Sequence, residues 1–258
     1  MNQLVTLTLF STQSIRELKE LYLTKPMTKS SMSNTNFLKK LKQQLETNLP
    51  GQAAQAQMAS GTRTKFPNIP NTAKEACVLC LLYLKEKEWH LILMERVSNN
   101  KDQHSGQMSF PGGKLEEEET YRECALRETE EEVGIPRTDI RILGKLTPLY
   151  IPVSNFHVHP FVGVLTYTPS FISQETEVKE LVEVPLNLLL DTNNRRIKDL
   201  TIRTVDIKDV PYFDVYGKVV WGATAMMLSE FVALVNNIQK AIQTYTKGYT
   251  NSLTKKKI

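Results

Sequence analysis

Between Gly113 and Ile135 the chain reads GKLEEEETYRECALRETEEEVGI. At 3.6 residues per turn, Glu128 and Glu132 fall one turn apart on one helix face, with Glu131 beside them. Carboxylates this close repel one another and are costly to desolvate unless a cation offsets their charge. A hard divalent ion such as Mg²⁺ or Mn²⁺, which prefers oxygen ligands, is the natural one. Arg127 precedes Glu131 by one turn and can bridge to it, or to Glu119 near the helix start; its planar fork holds a carboxylate in one geometry. The other helix face carries Cys124, Val133 and Ala125, which can pack on a sheet. By contrast, Glu116, Glu117 and Glu118 read as a solvated charge run. Just upstream, FPGG at Phe110–Gly113 is a tight loop suited to crossing an active site.

These residues need a scaffold. The pattern predicts strands at Cys77–Leu84 and His90–Glu95 around the charged turn KEKEW, then a polar loop over Asn99–Ser109. A helix is expected over Thr120–Glu132, ended by Gly134 with Pro136 beyond. Further strands are expected at Ile140–Leu146, His157–Thr166, Glu180–Val184, Thr201–Asp206 and Tyr212–Val215. Leu186–Leu190 reads as a helical turn and Ala223–Tyr245 as a long closing helix. Before this core, Leu4–Phe10 is β-like and Ser14–Leu23 helix-like. Phe37–Leu49 is an amphipathic helix with Phe37, Leu38, Leu41, Leu45 and Leu49 in one stripe. Residues 50–72 read as a wrapping segment without regular structure. Strands mixed with helices on both sides predict an α/β sandwich.

Bulk properties narrow the class. A chain of 258 residues, 41% hydrophobic and 23% charged, can bury one sizeable core and is not globally disordered. Its net charge of +4 suits anionic substrates. Aromatic and basic residues are not interleaved as in base-stacking proteins, so no nucleic-acid partner is expected. Cys77 and Cys80 form a lone CxxC inside the apolar run ACVLCLLYL and read as buried strand residues. The cysteine usage fits a reducing compartment, hence the cytoplasm. The first ten residues do not make a convincing signal peptide, and no apolar run is long enough for a bilayer, so no membrane partner is expected. His157 and His159 alternate on one strand and face the same side. With no Cys or third His in register, packing or pocket lining is expected of them.

The spacing Gly113, Glu119, Arg127, Glu128, Glu131, Glu132, Gly134, Ile135 resembles the signature of Nudix hydrolases. One position departs: Thr129 stands where an aliphatic residue is usual, and its methyl can still pack. The resemblance implies a loop–helix–loop within a Nudix α/β/α sandwich with a central mixed sheet, here with an N-terminal helical extension. Glu128, Glu131 and Glu132 would hold Mg²⁺ or Mn²⁺, with the carbonyl of Gly113 nearby, and Glu119 and Arg127 would form a supporting ion pair. A carboxylate beyond the motif often completes the site or acts as base; Glu177 is the best candidate, with Glu175 and Glu180 competing. The substrate would be a nucleoside diphosphate joined to another group, and a homodimer is expected.

A narrower resemblance, to the coenzyme A pyrophosphatase branch, rests on HSGQMSFPGG at His104–Gly113. His104, Gly106 and Phe110–Gly113 match in register. Upstream, Arg96 is displaced by one residue, Lys101 stands where a leucine is usual and Asp102 where an arginine is. Candidate substrate contacts are therefore His104, Arg96, Lys101, Phe110 and Gly112, with Lys101 able to supply a cation from an altered loop. The segments at 49–58, 154–165, 177–190 and 216–228 also resemble this branch. The implied reaction yields 4′-phosphopantetheine and adenosine 3′,5′-bisphosphate. Two alternatives are the same chemistry on ADP-ribose, NADH or dinucleoside polyphosphates, and a non-catalytic nucleotide-sensing or protein-binding module. The expected organisation is an extension and linker over 1–36, the hydrolase domain over 37–245 and a basic tail over 246–258. Residues 1–33 would be an added element, or an extension upstream of a start at Met27.

Overall fold

The computed structural model describes residues 33–61, 66–98, 105–202 and 204–255, with side chains through residue 241. The expected elements at Leu4–Phe10 and Ser14–Leu23 lie outside the described residues. Contacts divide the chain into two units, residues 1–37 and 38–258, and the second carries the features below.

The helices are α1 (Asn34–Thr47), α2 (Gly51–Ala56), α3 (Tyr121–Val133), α4 (Leu186–Leu190) and α5 (Gly222–Lys255). The strands of the main sheet are β1 (Lys74–Lys85), β2 (Glu88–Arg96), β3 (Met108–Ser109), β4 (Gly112–Lys114), β5 (Arg141–Lys145), β6 (Leu149–Ile151), β7 (Phe156–Val164) and β8 (Val178–Pro185). A second sheet holds β9 (Arg195–Ile202), β10 (Val205–Val215) and β11 (Lys218–Trp221). The result is the expected mixed α/β architecture. Among the described residues, no helix is long and apolar enough to cross a membrane.

One departure from regular pairing builds the site. β1 and β2 form an antiparallel hairpin only over Leu82–Lys85 and Glu88–Leu91. Its turn residues Glu86 and Lys87 both have positive φ, as a two-residue hairpin turn demands. Beyond Leu82 and Leu91 the strands part, and the chain from Met108 to Lys114 enters the gap. β3 pairs with Met94 and Glu95 of β2, and β4 pairs with Ala76–Val78 of β1. Between them the Pro111 carbonyl accepts from the Leu79 amide at 2.9 Å. Both splayed edges thus keep hydrogen-bond partners, as buried backbone requires. Gly112 lies so close to β1 that a Cβ there would sit 2.2 Å from the Cys77 carbonyl oxygen.

The other edge of β1 pairs in parallel with β7, matching Glu75 to His157 and Cys77 to His159. β8 covers the outer edge of β2, and β5 and β6 pair with β7. Leu79, Leu81 and Tyr83 on one face of β1 share a core with Leu126 and Val133 of α3. Cys80 and Leu82 on its other face are equally buried, which explains the near-continuous apolar run in this strand.

Several expected elements differ. Gly51–Ala56 is helical, although residues 50–72 read as irregular. It is held by long-range contacts: Glu230 of α5 accepts from Gly51 N at 3.1 Å, Gln55 Nε2 at 2.9 Å and Thr147 Oγ1 at 2.7 Å. Thr201–Asp206, expected as one strand, is divided between the end of β9 and the start of β10, where Thr201 pairs with Asp206 and Ile202 with Val205. The closing helix continues beyond Tyr245 to Lys255. In α1, Leu41 and Leu45 are buried as predicted, whereas Leu49 lies beyond the helix end and is exposed.

Replacing Gly112 by Ala is expected to destabilise the fold by about 3 kcal/mol or more, because backbone must move. At Gly217, where φ is also positive but nothing lies within 4 Å, the same change should cost only about 1 kcal/mol. Urea denaturation of the two variants checks this; equal losses would contradict the tight seating of the wedge.

Candidate active site

The register of α3 is set at both ends. Thr120 caps its start: Thr120 Oγ1 accepts from Glu123 N at 3.3 Å, and Glu123 Oε2 accepts from Thr120 N at 2.8 Å. This reciprocal box is written in the sequence as Thr-x-x-Glu, a local signal that marks the helix start at Thr120. Gly134 ends the helix at φ +71°, donating to the Glu130 carbonyl at 3.0 Å. Thr129, the position that departs from the motif, is fully buried, and its hydroxyl donates to the Ala125 carbonyl at 2.7 Å. The hydroxyl is satisfied within the helix, so a core position tolerates it.

Arg127 gathers the carboxylates. Its Nε and Nη2 donate to the two oxygens of Glu119 at 3.0 and 2.8 Å, a bidentate pair. Its Nη1 donates to Glu128 Oε1 at 2.9 Å and to Glu131 Oε2 at 3.2 Å. Nη2 also reaches the Lys114 carbonyl at 3.3 Å, which ties the helix to β4. Gly113 packs against Glu128 so closely that a Cβ would lie 2.4 Å from its carboxyl. Its carbonyl accepts a weak bond from Cys124 Sγ at 3.7 Å. Glu132 is 1% exposed. Its Oε2 accepts from the Gly112 amide at 2.7 Å, and Oε1 lies 3.8 Å from Arg96 Nη1.

The electrostatics divide the carboxylates into two kinds. The Arg127 guanidinium holds Glu119 down to about 2, so it stays ionised. Burial pushes Glu128 upward against the pull of Arg127. Burial pushes Glu132 up to about 8, against the Gly112 amide and Arg96. Two carboxylates disfavoured as bare anions, beside a third, make a donor set that suits a hard divalent cation.

A match to the NUDIX domain model covers residues 73–204, a little over half of the chain. This chain belongs to the Nudix hydrolase family. Among curated relatives it is 35% identical over 147 residues to the uncharacterized Nudix hydrolase NudL of Yersinia pestis (strain Pestoides F), which covers 56% of this chain and 72% of the relative. The same figures hold for NudL of Yersinia pseudotuberculosis serotype O:1b (strain IP 31758). A solved Nudix hydrolase from M. Smegmatis, RenU, aligns over 67% of this chain and 87% of its own at 12% identity, with a TM-score of 0.42. Nudix hydrolases use divalent metals, and the donor set fits one.

The fold brings together most of the residues singled out in the Nudix motif. Glu119, Arg127, Glu128, Glu131, Glu132, Gly112 and Gly113 form one cluster, joined from β2 by Arg96. Glu177 joins them electrostatically, its charge raising both Glu128 and Glu132. Its rival Glu180 is instead engaged by Lys218 at 2.7 Å. Phe110 departs from the expectation of a substrate contact: at 1% exposure, its side chain is part of the buried core. His104, Lys101 and Asp102 lie outside the described residues.

The Glu132 shift has a sign that can be checked. A carboxyl raised from 4.5 to about 8 in the folded state contributes stability below pH 4.5 that is lost as pH rises towards 8. Metal-free protein should therefore lose thermal stability over that window, Glu132→Gln should flatten the loss, and Mg²⁺ or Mn²⁺ should offset it in the parent protein. A melting series across pH with EDTA or metal tests all three; a parent profile as flat as that of the variant would contradict the burial argument.

Proposed function

We propose that this Nudix hydrolase cleaves the diphosphate of coenzyme A or an acyl-CoA. The products are 4′-phosphopantetheine, or its acyl form, and adenosine 3′,5′-bisphosphate. The observation that carries the hydrolytic reading is the convergence of Glu119, Glu128 and Glu131 on one guanidinium, with Glu132 buried beside them. The choice of coenzyme A is supported by the HSGQMSFPGG segment and by similarity on both sides of the motif. The three free cysteines suit a reducing compartment such as the cytoplasm, and a homodimer is part of the same reading.

Glu128, Glu131, Glu132 and the Gly113 carbonyl would hold Mg²⁺ or Mn²⁺. Bound there, such an ion supplies charge neutralisation for the diphosphate oxygens and lowers the pKa of water. The remaining roles belong to the chain. Arg127 and Glu119 position the carboxylates and do not touch substrate. Glu131, whose side chain is 49% exposed and, among the described residues, accepts from Arg127, is best suited to accept the proton of the attacking water. Glu177 is the second candidate for that proton. Water adds to one phosphorus, the bond from that phosphorus to the bridging oxygen breaks, and two phosphomonoesters leave. His104, Lys101 and Arg96 are the proposed contacts to the substrate's phosphates.

A second reading keeps the chemistry and changes the substrate to ADP-ribose, NADH or a dinucleoside polyphosphate. It is favoured by the altered loop, where Asp102 replaces a cation expected to grip the 3′-phosphate of coenzyme A.

Hydrolysis of coenzyme A beside ADP-ribose, NADH and diadenosine polyphosphates, with Mg²⁺ or Mn²⁺ and an EDTA control, separates the two readings. Metal-dependent release of adenosine 3′,5′-bisphosphate, with coenzyme A preferred, is expected. Inert coenzyme A with another substrate cut would favour the second reading. Glu131→Gln should fold normally and lose about 10²–10⁴-fold in turnover; near-parental turnover would remove Glu131 from the mechanism.

A further inference from the structure

A second group of metal-ligating side chains is built from residues outside the carboxylate cluster. Parallel pairing of β1 with β7 places Glu75 directly beside His157, and His159 follows on the same face. His159 Nε2 lies 2.6 Å from Glu75 Oε2, and His157 Nδ1 lies 3.2 Å from the same oxygen. One ligand atom from each of the three falls within 4.8 Å of the others. Tyr121, the first residue of α3, stacks on the His159 ring at 3.9 Å between centroids, with the planes 13° apart. The Glu75 carbonyl accepts from Leu115 N at 2.9 Å, which joins the group to the loop that leads into α3.

We propose that Glu75, His157 and His159 form a second cation site, which takes Zn²⁺ or a similar borderline transition ion. Two imidazoles and one carboxylate are a known tetrahedral donor set that leaves a fourth position for water. Imidazole donors select this class of ion over Mg²⁺, which the all-oxygen cluster suits. Zinc bonds of about 2.0–2.2 Å place tetrahedral ligands roughly 3.3 Å apart. The 3.2 Å spacing already matches, and the 2.6 Å hydrogen bond need open by less than about 1 Å once its proton is replaced by the ion. The Glu75, His157 and His159 side chains are 32, 16 and 11% exposed, so an ion can enter and a water can complete the shell. An ion here would pin β1 to β7 directly under the first turn of the catalytic helix.

The test uses the full chain without a histidine tag, equilibrated with Zn²⁺ in excess Mg²⁺ and then dialysed against metal-free buffer. Retained zinc is measured by atomic emission in the parent protein, in Glu128→Gln/Glu131→Gln, and in His157→Gln, His159→Gln and Glu75→Gln. Stoichiometric zinc in the first two and its loss in the other three is expected. No retained zinc in the parent, or loss only in the carboxylate-cluster variant, overturns the proposal. Should the histidine variants misfold, Co²⁺ added to the parent in excess Mg²⁺ decides. Intense visible bands of a four- or five-coordinate imidazole-ligated ion support the site, and an aqueous-like six-coordinate spectrum refutes it.

Discussion

One guanidinium holds this site together. Arg127 donates Nε and Nη2 to Glu119, with Nη2 also reaching the Lys114 carbonyl, and its remaining donor, Nη1, reaches Glu128 and Glu131. Without that centre, carboxylates on successive turns would repel and swing into water. Glu119 is held ionised and serves as the permanent counter-charge, which leaves Glu128 and Glu131 only partly neutralised. The wedge between β1 and β2 supplies the other wall. It brings the Gly112 amide to Glu132, with Gly112 itself pressed against β1, and seats Gly113 against Glu128 at a distance no side chain would permit.

Two buried carboxylates in the same molecule show how structural and functional charge differ. Glu230 in α5 is fully buried and accepts from Gly51, Gln55 and both the amide and hydroxyl of Thr147. Its lone pairs are filled by neutral donors that come from separate parts of the chain, so it cements α2 and the β5–β6 connection. Glu132 is as deeply buried but has one amide at 2.7 Å and a guanidinium at 3.8 Å. That is too little compensation for a desolvated anion, which is why burial lifts its pKa so far. A carboxylate left under-compensated in this way is poised for a cation.

The motif was legible because its parts are contiguous. Helical spacing alone places Glu128, Glu131 and Glu132 together, Gly134 stops the helix, and Arg127 has only nearby acids to reach. What stayed hidden depends on chain segments that meet only after folding. β3 and β4 are two and three residues long and leave no periodic pattern, so the wedge is invisible until β1 and β2 are seen to part. Glu75 lies far from His157 in sequence and joins it only through parallel pairing, which no local pattern encodes. The split of Thr201–Asp206 between β9 and β10 falls within a run whose residues suit a strand throughout, and α2 depends on Glu230.

The most direct test of Arg127 as organiser is Mn²⁺ binding followed by electron paramagnetic resonance in the parent protein and in Arg127→Lys. Lysine keeps the charge but cannot serve Glu119 with two donors while reaching Glu128 and Glu131. The account predicts a folded variant, judged by circular dichroism, that binds Mn²⁺ about 10–100-fold more weakly. A folded variant with parental affinity would show that charge alone organises the carboxylates, and would contradict the account.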